Sequence, residues 1–243
     1  MKDIIFFDRG IMKRKVERIW EIDLLRGIAL ILMIYFHVIY DMKEIYDYSV
    51  TYASGPNYYL GKVAGSLFIF VAGISSSITR SNIKRAVKLL ALALVITAIT
   101  HLYDANLGIK FGILHFLGIS ILTSTFMTRL KEYELVFLGS VVIAIATYTS
   151  GIKLNHDLLF FVGITTNNFI SSDFYPLIPW YGVFLYGLAA GKYFYKSRKS
   201  IVIYHPKDNI LTKAGRRTLV IYLIHQPAIL VILELYTKIR AIL

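Results

Sequence analysis

The chain of 243 residues contains no cysteine. That absence excludes disulfides, thiolate nucleophiles, iron–sulfur clusters and thiolate zinc sites together, and leaves the compartment open. Charge is scarce too: 17% of the residues are Asp, Glu, Lys or Arg, where an average soluble domain carries about 25%. With 56% apolar residues and a mean hydropathy of +0.60, a water-soluble protein is excluded. No Pro-, Gly- or Ser-rich linker and no internal repeat divides the chain, so a single domain over 1–243 is expected. The first 23 residues interleave charge with short apolar pieces and lack a signal-peptide core and cleavage site, so the first hydrophobic run is expected to be retained.

What is abundant is apolar sequence in helix-length runs. Seven spans of roughly 17 to 25 residues are expected, at about 24–40, 58–78, 86–102, 109–127, 135–150, 176–194 and 218–237. Residues 158–164 (LLFFVGI) form a further run, too short to cross, that reads as re-entrant or surface-lying. The fold class is therefore all-α, a polytopic integral membrane helical bundle of the plasma membrane.

Of the 27 Lys and Arg, 20 fall in the segments that share the N-terminal side and five in the alternating ones, counting Lys110 with the loop it borders. Arg26 and Lys62 lie within spans. This bias orients the N-terminus to the cytoplasm and the C-terminus outside. The net charge of +12 thus reports topology, and nucleic acid is not expected as a partner. The lipid bilayer is, and a homodimer is among the assemblies allowed.

Ionisable side chains inside a bilayer are costly and read as functional. Arg26 and His37 stand eleven residues apart on the first span, which returns them to one face, roughly 16 Å apart along the axis. Asp41, four residues beyond His37, has the spacing to hold an imidazole proton, or simply caps the span. His115 enters the fourth span at a depth similar to that of His37, and His101 and Asp104 close the third span on the same side. An outer cluster of His37, Asp41, His101, Asp104 and His115 is expected. His225 precedes Gln226 and Pro227 in the last span, where a packing or hinge role at a polar kink is expected.

RIWEIDLLRGIALILMIYFHVIYDM at 18–42 resembles the start of the heparan-α-glucosaminide N-acetyltransferase catalytic-domain family. FGILHFLGIS (111–120), SSDFYPLIPWYGVFLYGLAAG (171–191) and GRRTLVIYLIHQP (215–227) are similar to further parts of it. The arrangement of Arg, ten residues, then His is also similar to the motif of the broader transmembrane acyltransferases that modify surface polysaccharides. Animal members of the heparan-modifying family carry asparagine at the position of His37 and a histidine in the first luminal loop. Residues 43–57 contain none here, so the base role falls to His37.

The resemblance implies acetyl transfer from cytosolic acetyl-CoA, a co-substrate, to an amine or hydroxyl of an extracytoplasmic acceptor, a glycan or small molecule, with no metal expected. In that reading His37 takes the acceptor proton, Asp41 supports it, and His115 binds acceptor or the oxyanion. Arg26, Arg80, Arg85, Arg216 and Arg217 are candidates for the CoA phosphates, against the plainer explanation of charge topology. Asp173, Tyr175 and Trp180, with His101 and Asp104, are candidates for the acceptor. The competing class is non-enzymatic: a transporter, or a b-type haem electron carrier using His37 and His115 as axial ligands.

Overall fold

The computed structural model describes residues 18–104, 108–203 and 209–242. The basic residues of 1–17 that enter the charge count lie outside these. Among the described residues the chain forms eight α-helices, one 3-10 turn and no strand. The helices are α1 (Trp20–Glu44), α2 (Gly55–Ile78), α3 (Asn82–Tyr103), α4 (Ile113–Met127), α5 (Glu132–Thr149), α6 (Leu177–Phe194), α7 (Ile210–Arg216) and α8 (Thr218–Ile242).

Five of them, α1, α2, α3, α5 and α8, are long and apolar enough to cross a membrane. Helices α4 and α6 stand where the other two spans are expected, with differences. Helix α4 has 15 residues, about 22 Å of rise against a hydrocarbon core of about 30 Å. Its expected first residues are extended instead, because Tyr175 N–H donates to the Phe111 carbonyl at 2.9 Å. Helix α6 carries Trp180, three tyrosines and three glycines among its 18 residues. It is wedged between α2 and α5.

Glycines set that position. Side chains on Gly187 and Gly191 would run into the α2 backbone at Phe70 and Ile74, and one on Gly182 would come within 2.6 Å of the Gly139 carbonyl on α5. Small residues at such crossings let membrane helices approach until their backbones touch. The core they enclose joins α2, α4 and α6 through Ile69, Phe116, Ile121 and Phe184. Helices α3 and α5 turn Leu94, Ile99, Leu102 and Phe137 outward, the face a bilayer would cover.

Two shorter elements join the long helices. Residues 158–164 hold a single 3-10 turn, Phe160–Val162, ended by Gly163 at φ 105°. Phe160 lies on the α2–α4–α6 core, while Leu158, Leu159 and Phe161 of the same run are exposed. The loop expected between the last two spans contains α7, started by Asn209, whose side-chain oxygen accepts from Thr212 N–H at 2.9 Å. Helix α7 lies flat against α1 at Gly27 and Gly215.

Candidate active site

Steps of four, three and four residues return to one helix face, so α1 carries positions 26, 30, 33 and 37 as a single stripe. Leu30 and Met33 in its middle are buried against Ala64 of α2. Beyond them, at the distal end of α1, the stripe opens into a cavity of about 390 Å³. Met33, His37, Lys62, Asp173, Tyr175 and Trp180 are among its walls. Gly65 makes part of the room, since a methyl there would stand 2.5 Å from the Tyr175 hydroxyl. Tyr175 packs on Trp180 with ring centroids 5.1 Å apart, and Lys62 Nζ stands 5.5 Å from the Trp180 ring and 5.4 Å from Tyr58. The cavity is thus aromatic with one ammonium and one carboxyl in its wall, a lining suited to a polyol ring.

Asp173 also ties the cavity to α4: its Oδ2 accepts the Ile113 N–H at 2.8 Å, at the first turn of that helix. Burial pushes its carboxyl up to about 6, against the opposing pull of the Ile113 N–H. A raised value means the fold favours the protonated acid, so between about pH 4 and about pH 6 the folded chain keeps a proton that the unfolded chain has lost. Relative to Asp173→Asn, the wild type should therefore lose stability as pH rises through that window and level off above it. Melting temperatures of the two proteins from pH 4 to 7 test this, and a constant difference would count against it.

His37 meets α8. Its ring lies edge-on to His225, centroids 4.9 Å apart. Asp41 is fully buried, but both its oxygens accept from Gln226 Nε2, at 2.9 and 2.8 Å. The helical spacing of His37 and Asp41 therefore serves two separate contacts with α8, His225 for one and Gln226 for the other.

The expected five-residue cluster divides. His115 borders a second, water-sized cavity of about 10 Å³, shared with Asp173 and Tyr222. Its Nε2 is 3.3 Å from Thr97 Oγ1, and its ring stacks on Phe111. His101 Nδ1 reaches the Thr97 carbonyl at 3.0 Å, which places it on the α3–α4 side, with Asp104 at the C-terminal end of α3. Neither lines the cavity that holds His37. Asp173 and Tyr222 are the walls that the two cavities share.

At the proximal end of α1, Arg26 donates to Asp23 Oδ1 at 2.9 Å and to Ser75 Oγ of α2 at 2.5 Å. Arg18 and Arg216 also act on the Asp23 carboxylate, and Arg85 lies within electrostatic reach of Arg26. Three guanidiniums thus act on one carboxylate, and a fourth, Arg85, stands within reach of Arg26. Arg80 and Arg217 point to the exposed surface.

Residues 18–227 match the family model described as heparan-alpha-glucosaminide N-acetyltransferase, catalytic. The chain belongs to that family. No curated protein and no solved structure matches it. Membership in the heparan-alpha-glucosaminide N-acetyltransferase family implies a membrane acetyltransferase, and the matched segment contains both ends of the 26–37 stripe. The proximal arginines have the chemistry for a polyphosphate donor, since guanidinium forks match phosphate oxygens.

Sequence reading gave His225 and Gln226 only a packing or hinge role and passed over Asp23 and Ser75. Asp23 was legible, three residues before Arg26 on the same helix. Ser75, Gln226 and His225 reach α1 from other helices, and nothing in their local sequence announces the partner. Among the described residues, no group of three or more His, Asp or Glu is placed to hold a metal.

Proposed function

We propose that this acetyltransferase takes its acetyl group from acetyl-CoA at the proximal end of α1 and delivers it to an amine or hydroxyl in the distal cavity. The proximal end faces the cytoplasm in this reading, which the surplus of basic residues on that side supports. The acceptor is then extracytoplasmic, a saccharide or a small molecule, and the protein is a multi-pass plasma-membrane protein crossed also by α4 and α6 with their flanking segments. The observation that carries the reading is the single α1 stripe, with clustered guanidiniums at Arg26 and a cavity at His37.

In this mechanism neutral His37 takes the proton as the acceptor attacks the thioester carbonyl. The new C–N or C–O bond forms, the C–S bond breaks, and the thiolate of CoA recovers the proton. Lys62, Asp173, Tyr175 and Trp180 orient the acceptor. His115 acts on it only through Asp173, the carboxyl that both cavities share. Leu30, Met33 and Ala64 close the stripe between donor and base, so the thioester reaches His37 when these side chains part. Met33, unbranched and borders the cavity, is the adaptable member.

Purified protein with acetyl-CoA and glucosamine should release free thiol and bind acetyl-CoA by calorimetry. Absence of both would overturn the proposal. Arg26→Lys should raise the Kd for acetyl-CoA about tenfold, roughly 1.4 kcal/mol, because an ammonium keeps the charge and loses the fork. An unchanged Kd would remove Arg26 from the donor site. The haem and transport readings gain no comparable support, since His37 faces His225 while His115 borders the other cavity.

A further inference from the structure

We infer that His225 is the proton partner of His37, held in place by the Asp41–Gln226 hydrogen bonds. The inference rests on the acetyltransferase reading above and adds a residue to its machinery.

His225 is 8% exposed, and its two ring nitrogens have different fates. Nδ1 lies 2.5 Å from the Tyr222 carbonyl, an acceptor, so Nδ1 carries the hydrogen. Nε2 is therefore the lone-pair nitrogen, and it is buried with no hydrogen-bond partner. A buried acceptor left unpaired costs free energy, and native structures keep such groups where function uses them. The ring beside it is His37, which lines the cavity.

The 4.9 Å between the ring centroids is close to the span of an N–H···N bridge between imidazoles, about 2.9 Å between nitrogens plus roughly 1.1 Å from each nitrogen to its ring centre. Rotation about the terminal side-chain torsions, which are broad for histidine, completes the bridge. Gln226 follows His225 in the chain, and its two bonds to buried Asp41 pin this turn of α8 against the turn of α1 that carries His37. Asp41 is thus a positioning residue acting through α8.

The proton balance is simple. As the acceptor N–H or O–H proton passes to one nitrogen of His37, the hydrogen on its other nitrogen passes to His225 Nε2. His225 becomes the imidazolium, keeping its Nδ1–H on the Tyr222 carbonyl, and His37 stays neutral. When the C–S bond breaks, the reverse transfer returns the proton to the CoA sulfur, and no other reactant is consumed.

His225→Asn tests this, because its amide can still donate to the Tyr222 carbonyl while Nε2 is gone. With acetyl-CoA and glucosamine, kcat should fall about a hundredfold and both KM values should stay within about twofold. His225→Gln, which restores a polar atom near the Nε2 position but not a base, should recover none of that loss, and a recovery there would reduce His225 to a hydrogen-bonding role. A kcat for His225→Asn within about threefold of wild type, or a change confined to KM, would overturn the inference. A second measurement needs no turnover and uses a chain with His225 intact. In protein labelled with 15N-histidine, His37→Asn should shift the His225 Nε2 resonance. An unmoved resonance overturns the pairing, whereas a wild type that pairs its histidines but neither binds nor cleaves acetyl-CoA overturns only the acetyltransferase proposal.

Discussion

Replacing His37 by alanine should lower acetyl transfer by about a hundredfold to ten-thousandfold, the range a positioned general base contributes. The loss should appear in kcat, with acetyl-CoA affinity retained, because the proposed donor groups lie roughly 16 Å away along the α1 axis. The fold should tolerate the change. His37 borders open space, so truncation enlarges a cavity already present and leaves the neighbouring Leu30–Met33–Ala64 packing intact. Thiol release and a melting curve on the same preparation would separate the two effects. Native turnover in His37→Ala would end the general-base assignment.

Gly215→Ala should show the largest stability change of any single methyl addition, about 1–3 kcal/mol or more. A Cβ at Gly215 would overlap the Asp23 backbone carbonyl of α1, and one at Gly27 would overlap the Leu211 carbonyl of α7. The obstacle is backbone on both sides, which cannot rotate away as a flexible side chain can. Helix α7 must then lift from α1. Arg216 would leave the surroundings of Asp23 with it, so acetyl-CoA affinity should weaken along with the melting temperature. A variant that melts with wild type would show that α7 does not rest on α1 at this crossing.

The two substitutions probe opposite ends of one stripe, and the stripe was legible because helical periodicity alone puts residues 26 and 37 on one face. Asp41 shows the limit of that reasoning. Its spacing from His37 allowed a bond within one helix or a cap on the span, yet its oxygens accept from Gln226 on α8. His115 was grouped with His37 by an expected depth, but depth does not give the direction in which a helix faces, and His115 borders the smaller cavity with Asp173 and Tyr222. Helix α6 was expected as a span from its length, while the glycine contacts that place it between α2 and α5 could not be read from the sequence.

The family rests on the resemblance of its motifs and the match over residues 18–227, while composition, hydropathy and residue spacing by themselves determined an all-helical membrane protein and the shared face of Arg26 and His37. These follow from rules that act along one helix or between chain and solvent. Tertiary structure alone decided that Arg26 is braced by Ser75, that Leu30 and Met33 are buried against Ala64, and that His37 stands beside His225. Each of those depends on which helices become neighbours and on how each is rotated about its axis. Close packing of side chains fixes both, and a pattern of apolar and polar letters leaves them undetermined.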